Sequence, residues 1–486
     1  MARGERIIEH LLRRAGFGAS EQEVAFFSSM PYAQAVDWLV DYEGIADRID
    51  DYIGQAGYIG VTIRGPLQPT AVINDARQRW LFRMIHSERP LQEKMALFWH
   101  NHFATGYTKI AGIVGGAEAT RYLAAKRSED PGRVRGQLEV FRDYAVGSFR
   151  DLLLEISRDV SINFFLDGRL NTRTRPQENF GREIMELFSV GVGNHTENDV
   201  YAAARVFSGW NSRIVGDRAT MASHYEFFYN SANHDTTAKE FSFPIYSNGS
   251  RIIPARAAAS GEQDGIDLID ALARRPETAR RLVLKLYRFF VSEIHTPEPE
   301  FIERLARVYL ENNTEMKPVL RELFNSGEFQ DPSKHFARFS WPVEFVVRAI
   351  KEVGWDGFTV NDLLTPLINM DQQLFEPPDV AGWDLGLNWF STGTMLARMN
   401  YAATLTRNQR FNLASLVYGP HTGTPQAMVF HMLDRLPAAR YDQPALQELL
   451  SYSVAGQAWT GTQAQVLTKA AGLAHLILGS GEYQLV

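Results

Sequence analysis

The chain has 486 residues, no cysteine, a formal net charge of −7, and 45% hydrophobic against 22% charged residues. This is ordinary globular composition with enough chain for a sizeable core. It excludes disulfides, zinc ribbons, iron–sulfur clusters and a cysteine nucleophile, and its mild acidity argues against a nucleic-acid partner held by bulk charge.

In chain order, the opening MARGERIIEHLLRRAGFG sets Ile7, Leu11 and Leu12 on one helical face, with Gly16 and Gly18 as stops. It carries charges where a signal peptide needs an apolar segment, so the chain as written is expected to be cytoplasmic. No stretch approaches the ~20 apolar residues of a membrane span. Apolar spacing near 3.6 predicts helices over 21–28, 31–42, 68–87, 90–104, 134–157, 178–190 and 197–208. The same spacing predicts helices over 264–274, 276–293, 298–311, 316–326, 340–353, 391–407, 424–435, 443–451 and 462–478. Between them, 108–133 mixes glycines with charges and reads as a mobile loop with a short helix. From Trp210 to Ile253, SRIV, HYEFFYN and KEFSFPIY alternate and are aromatic, which predicts a small β-hairpin insert. No repeat and no Pro/Ser linker divides the chain. The expectation is an all-α protein, one helical domain over 1–486 with a β insert at 210–253.

The common enzyme signatures are missing. There is no phosphate-binding loop, no nucleophile elbow and no Gly-rich strand–helix junction, so no nucleotide cofactor is expected. Polar constellations inside apolar helices remain. In LQEKMALFWHNHFATG, His100 and His102 sit among aromatics at a helix end. They read either as a pair bonded to backbone carbonyls or as catalytic or metal-ligating groups. In RPQENFGREIMELFSVGVGN, Asn179, Arg182, Glu183 and Glu186 share one strip. Two carboxylates one turn apart can ligate a cation or share a proton, or they can form local ion pairs on a solvated face.

In HTENDVYAAARVFSGW, Thr196 and Asp199 form a capping-box pattern. Arg205 is the one charge in an apolar stripe ahead of Trp210, and should meet a carboxylate. The short VGVGN link predicts an antiparallel pair of helices that brings Glu183 or Glu186 to Arg205. In SANHDTTAKEFSFP, His234 and Asp235 read as a base with its orienter, as metal ligands, or as an Asx turn. In FEPPDVAGWDLGLNWF, Trp383 and Trp389 suit either sugar stacking or capping a core.

HLLRRAGFG, LFWHNHFATG, ENFGREIMELFSVGVGNHTENDVYAAARVFSGW, the His-Asp turn, PETARRLVLKLYRFFVSE, WPVEFV and PPDVAGWDLGLNWFS occur in that order. Together they resemble the domain-of-unknown-function 1800 family across almost the whole chain. The resemblance implies a bacterial, mostly helical protein of unestablished biochemistry. Many of its relatives look exported and are encoded near sulfatase-like partner proteins. It also implies that His100, His102, Glu178, Asn179, Arg182, Glu183, Glu186, Asp199, Arg205, Trp210, His234 and Asp235 hold family positions. Gln177, Phe180, Gly181 and His195 depart from the family's usual residues.

These readings combine into an expected site. His100, Glu183, Glu186, His234 and Asp235 would be the acid–base groups, with Arg182, Asn179, Arg205, Trp210, Trp383 and Trp389 binding substrate. His100, His102, Glu183 and Glu186 would hold a divalent metal, if one is used. The expected activity is that of a hydrolase or lyase on a polar polymer such as an envelope or extracellular polysaccharide. A non-catalytic helical scaffold that binds an envelope partner is the alternative.

Overall fold

The structure is a computed structural model that describes residues 3–354, 358–407 and 423–486. The chain is mostly helical, 58%, with two small antiparallel sheets of two strands each. Helices follow the apolar periodicity closely. Ile73–His86, Pro90–His102, Pro276–Phe290, Pro342–Val353 and Gln463–Leu478 lie within or close to their predicted ranges. Proline opens three of these at the first turn, where its missing N–H leaves no bond unmade. Buried apolar side chains form one continuous cluster that includes Trp80, Trp99, Trp341 and Tyr287. Each such side chain contributes about 1.5–3 kcal/mol of burial. Among the described residues no helix is long and apolar enough to cross a membrane.

Three local readings need correction. The segment 134–157 is two helices, Gln137–Asp143 and Phe149–Ser157. Ser148 caps the second, accepting from the Asp151 amide, and the amides of Met316 and Lys317 bond the carbonyls of Gly147 and Val146. The break is thus fixed by a distant chain segment. The supposed mobile loop 108–133 contains helices Tyr107–Val114 and Gly116–Ala124, anchored by buried Ile110, Ala119 and Leu123. The helix predicted over 178–190 ends at Glu186, where the Ser189 hydroxyl bonds the Ile184 carbonyl.

Strands occur where expected. Trp210–Val215 pairs with His224–Tyr229 in register Trp210↔Tyr229 to Val215↔His224, and Lys239–Glu240 pairs with Ile252–Ile253. Helices Glu178–Glu186 and Glu197–Val206 run antiparallel. The Phe180 and Phe207 rings meet at 4.8 Å at one end, and His195 lies 3.8 Å from Glu186 at the other. The Thr196/Asp199 capping box forms as read.

The core also holds charge. Glu93 is fully buried and bonds both Arg83 (2.7 Å) and Arg142 (2.9 Å). Glu344 joins Lys94 to Arg338 and accepts from the Trp341 amide. Burial pushes Glu344 up, but Arg338 and Lys94 outweigh it and bring the carboxyl down to about 2. Buried ions are tolerable only when paired in this way.

Candidate functional site

The His-Asn-His end of helix Pro90–His102 clips three segments together. His100 Nε2 accepts from the Phe375 amide at 3.1 Å, which places the ring proton on Nδ1. Its ring lies within 5.3–6.4 Å, centroid to centroid, of Trp80, Trp383, Phe375 and Phe141. Burial brings its pKa down to about 3, so it stays neutral at neutral pH. His102 Nε2 donates to the Phe188 carbonyl at 3.1 Å, leaving Nδ1 to accept from Lys285 at 3.0 Å. Burial, then Arg281, brings Lys285 down to about 7.

Between the two histidines, Asn101 Oδ1 accepts from the Trp383 amide at 2.6 Å, and Nδ2 donates to the Trp383 carbonyl. Gly382 is required beside it: its φ is +88°, and a Cβ there would lie 2.4 Å from the Asn101 carbonyl oxygen. Asn101→Ala removes both bonds and strands buried backbone groups. The expected loss is about 1–3 kcal/mol with a changed tryptophan emission, measured by urea denaturation.

The predicted metal set is not assembled. Both His102 nitrogens are engaged, and the His100 lone pair is occupied by a backbone amide. Among the described residues no group of three or more His, Asp or Glu is placed to hold a metal ion.

The Glu183 strip lies elsewhere in the polar network. Arg182 is shared among Glu178 (3.3 Å), Glu186 (3.2 Å) and Glu197 (2.8 Å). Glu183 is half-buried, and burial, followed by Glu186, pushes its carboxyl up. Asn179 is exposed. The strip is therefore largely the local ion-pair face that helical spacing also allowed.

His234 and Asp235 separate at the turn. His234 is fully buried: Nδ1 donates to the Ser208 carbonyl at 2.8 Å, and Nε2 lies 3.2 Å from Asp264. Asp235 pairs with Arg205 at 2.9 Å. Burial pushes Asp235 up, but bonds from Arg205 and Thr237 overcome it and hold the carboxylate below its ordinary value. This corrects the expected partner of Arg205, which is Asp235 of the turn and not Glu183 or Glu186. The turn folds back on the C-terminal end of the second helix and reaches Arg205 first.

The tryptophans are core. Trp210, Trp383 and Trp389 are only 3%, 5% and 4% exposed, so they cannot offer faces to a sugar. Trp210 packs on Phe207 and Phe227, and Trp389 on Trp341. None of the expected site residues lines the clefts described below.

A cleft of about 410 Å³ does exist at another place, between the Phe149–Ser157 helix and strand His224–Tyr229. Asp159 lines it and also caps helix Val160–Phe165. Its Oδ1 accepts from the Ile162 amide (3.0 Å) and from Gln137 Nε2 (3.1 Å). Burial raises its carboxyl to about 7 against the pull of these bonds. With Oδ1 committed as an acceptor, the acid proton belongs on Oδ2. On the facing strand, His224 Nδ1 donates to the Ala222 carbonyl at 2.8 Å, which leaves Nε2 without a hydrogen-bond partner among the described residues. Glu155, one turn before Asp159, pairs with Arg135 at 3.1 Å.

Two larger clefts carry no such group. One of about 750 Å³ presents the exposed acids Asp362 and Asp371. In another of about 1030 Å³, burial holds His335 down to about 4.

The sequence model of a protein family of unknown function, DUF1800, matches residues 10–485. The chain belongs to the DUF1800 family. No curated protein and no solved structure matches it. The motifs of this DUF1800 chain that stood out as candidate catalytic groups do structural work: HNH fastens the GWD loop, and the His-Asp turn fastens Arg205 and Asp264. Sequence reasoning missed Asp159 and His224. Asp159 in SRDVSINFF is an ordinary N-cap pattern, and His224 is one residue of a strand. The available signal was the density of arginine at 121–135, which forms the cleft's other wall.

Proposed function

We propose that this DUF1800 protein is an acid–base enzyme, a hydrolase or lyase acting on a polar polymer such as an envelope or extracellular polysaccharide. The observation that carries the reading is Asp159, a carboxyl near 7 at the wall of an open cleft and opposite a histidine whose Nε2 has no hydrogen-bond partner among the described residues. A protonated carboxyl facing an imidazole nitrogen that bonds no protein group is an arrangement general acid–base chemistry can use. Asp159 Oδ2 gives its proton to the leaving oxygen. His224 Nε2 takes one from water in a hydrolase, or from a sugar carbon in a lyase. Tyr225 and Phe227, alternate residues on one strand, supply apolar wall for sugar faces.

The test is release of reducing ends or unsaturated ends from a panel of neutral and acidic polysaccharides. Asp159→Asn should lower the rate by about 10²–10⁴-fold, and Glu183→Gln should leave it close to wild type. Loss in Glu183→Gln with activity kept in Asp159→Asn would move the chemistry to the helix strip and refute this reading.

The scaffold reading has its own support. His100, Asn101, His102, His234 and Asp235 are all engaged by protein groups. Under that reading no polymer is turned over and Asp159→Asn is functionally silent.

A further inference from the structure

Resting on the acid–base reading of this cleft, we propose that it selects an anionic substrate group, a carboxylate or sulfate on the polymer, held by Arg127 and Arg133 beside Asp159.

The charge inventory of the walls points to this. The charged and titratable groups that line the cleft are Arg127, Arg133, Arg135, Glu155, Arg158, Asp159, His224 and Glu226, with the phenols of Tyr122 and Tyr225. Four of them are already paired: Arg135 with Asp143 and with Glu155, Arg158 with Glu262, and Glu226 with Arg213. Arg127 and Arg133 have exposed side chains, and neither makes an ion pair among the described residues. Two unpaired guanidiniums lining one concavity offer an incoming oxyanion charged, planar donors.

The loop that carries Arg133 is built. Arg133 has φ +58°, a left-handed backbone that is unfavourable for a residue with a Cβ. Asp130 enforces it: its Oδ1 accepts from the amides of Gly132 (2.8 Å) and Val134 (3.1 Å), and its carbonyl from Arg133 (2.9 Å). Arg121 clamps Asp130 bidentately at 2.7 and 2.8 Å. Gly132 then lies flat on the hairpin, where a Cβ would be 2.4 Å from the Ala222 carbonyl and 2.7 Å from His224 Nδ1. This pins the loop and the hairpin as one wall. Strain held by surrounding bonds is characteristic of ligand clamps. A neutral Asp159 does not repel an incoming anion, whereas an ionised one does, so binding should weaken as pH rises.

The test is calorimetric titration of the full chain with an oligogalacturonate, a sulfated galactan oligomer and a neutral galactan oligomer. At least one anionic oligomer should bind at least about tenfold more tightly than the neutral one. The tighter of the two anionic oligomers names the group as carboxylate or sulfate. Arg127→Gln/Arg133→Gln should weaken that binding by about tenfold or more, with an unchanged circular-dichroism spectrum. From pH 6 to pH 8 the wild-type affinity should fall more steeply than that of Asp159→Asn. No binding, equal binding of the neutral oligomer, or indifference to the double variant overturns the inference. Turnover that survives Asp159→Asn would sink the acid–base reading alone, since arginine-dependent binding would still stand.

Discussion

Asp264→Ala is expected to cost about 3–5 kcal/mol of folding free energy, a large share of the stability of an ordinary domain. Asp264 is fully buried and accepts from Lys239 (2.6 Å) and Arg256 (2.6 Å), with His234 Nε2 3.2 Å away. The Lys239 side chain is itself 0% exposed. Removing the carboxylate leaves that ammonium in the interior with no counter-charge, and the penalty of the orphan exceeds the worth of the bond.

The sign with pH follows from the same contacts. Burial pushes Asp264 up, but bonds from His234 and Lys239 overcome it and lower its pKa in the fold. Its contribution is therefore present above the ordinary carboxyl value and is lost as pH falls through the lowered one. Urea denaturation at pH 7 measures the effect, and a loss below about 1 kcal/mol would contradict the hub. Lys239→Met in the same background should recover part of the loss, because the uncompensated charge goes with it. His234 should behave alike: its substitution destabilises the fold, which a purely catalytic histidine would not do.

Asp159→Asn is expected to act in the opposite direction, stabilising the protein while removing its activity. The carboxyl is raised from an ordinary 3.8 to about 7. The native state therefore holds the proton more tightly than the unfolded chain, and wild-type stability falls as pH rises between about 4 and about 7. That gap corresponds to ~4 kcal/mol if fully realised, and the open side of the cleft screens part of it. Asparagine reproduces the protonated form: Oδ1 keeps its two bonds, and the amide takes the place of Oδ2–H. The variant should match wild type near pH 4 and exceed it by about 1–3 kcal/mol at pH 8, seen as a rise of a few degrees in Tm. A group that weakens its own fold at neutral pH is the pattern expected where function opposes stability. Equal stability of the two proteins at pH 8 would remove the physical basis for Asp159 as the acid.

What was legible in the sequence was local. Apolar spacing located the helices, Thr196 with Asp199 located a capping box, and alternation in HYEFFYN located the hairpin. Each signal lies within a few residues because each depends on one turn or one strand pair. Motif order over almost the whole chain likewise carried the family. Partner choice was not legible. His100 meets the amide of Phe375, 275 positions away, and Asn101 meets Trp383 across 282. Arg205 was expected to meet a carboxylate of the preceding helix, yet it closes on Asp235 because the turn returns to its side. Spacing indicates that a buried polar group needs a partner, but only packing selects which one. Asp159 is the sharpest case. Its proton is held by desolvation, and desolvation comes from the helices and strand that close around residue 159 in three dimensions.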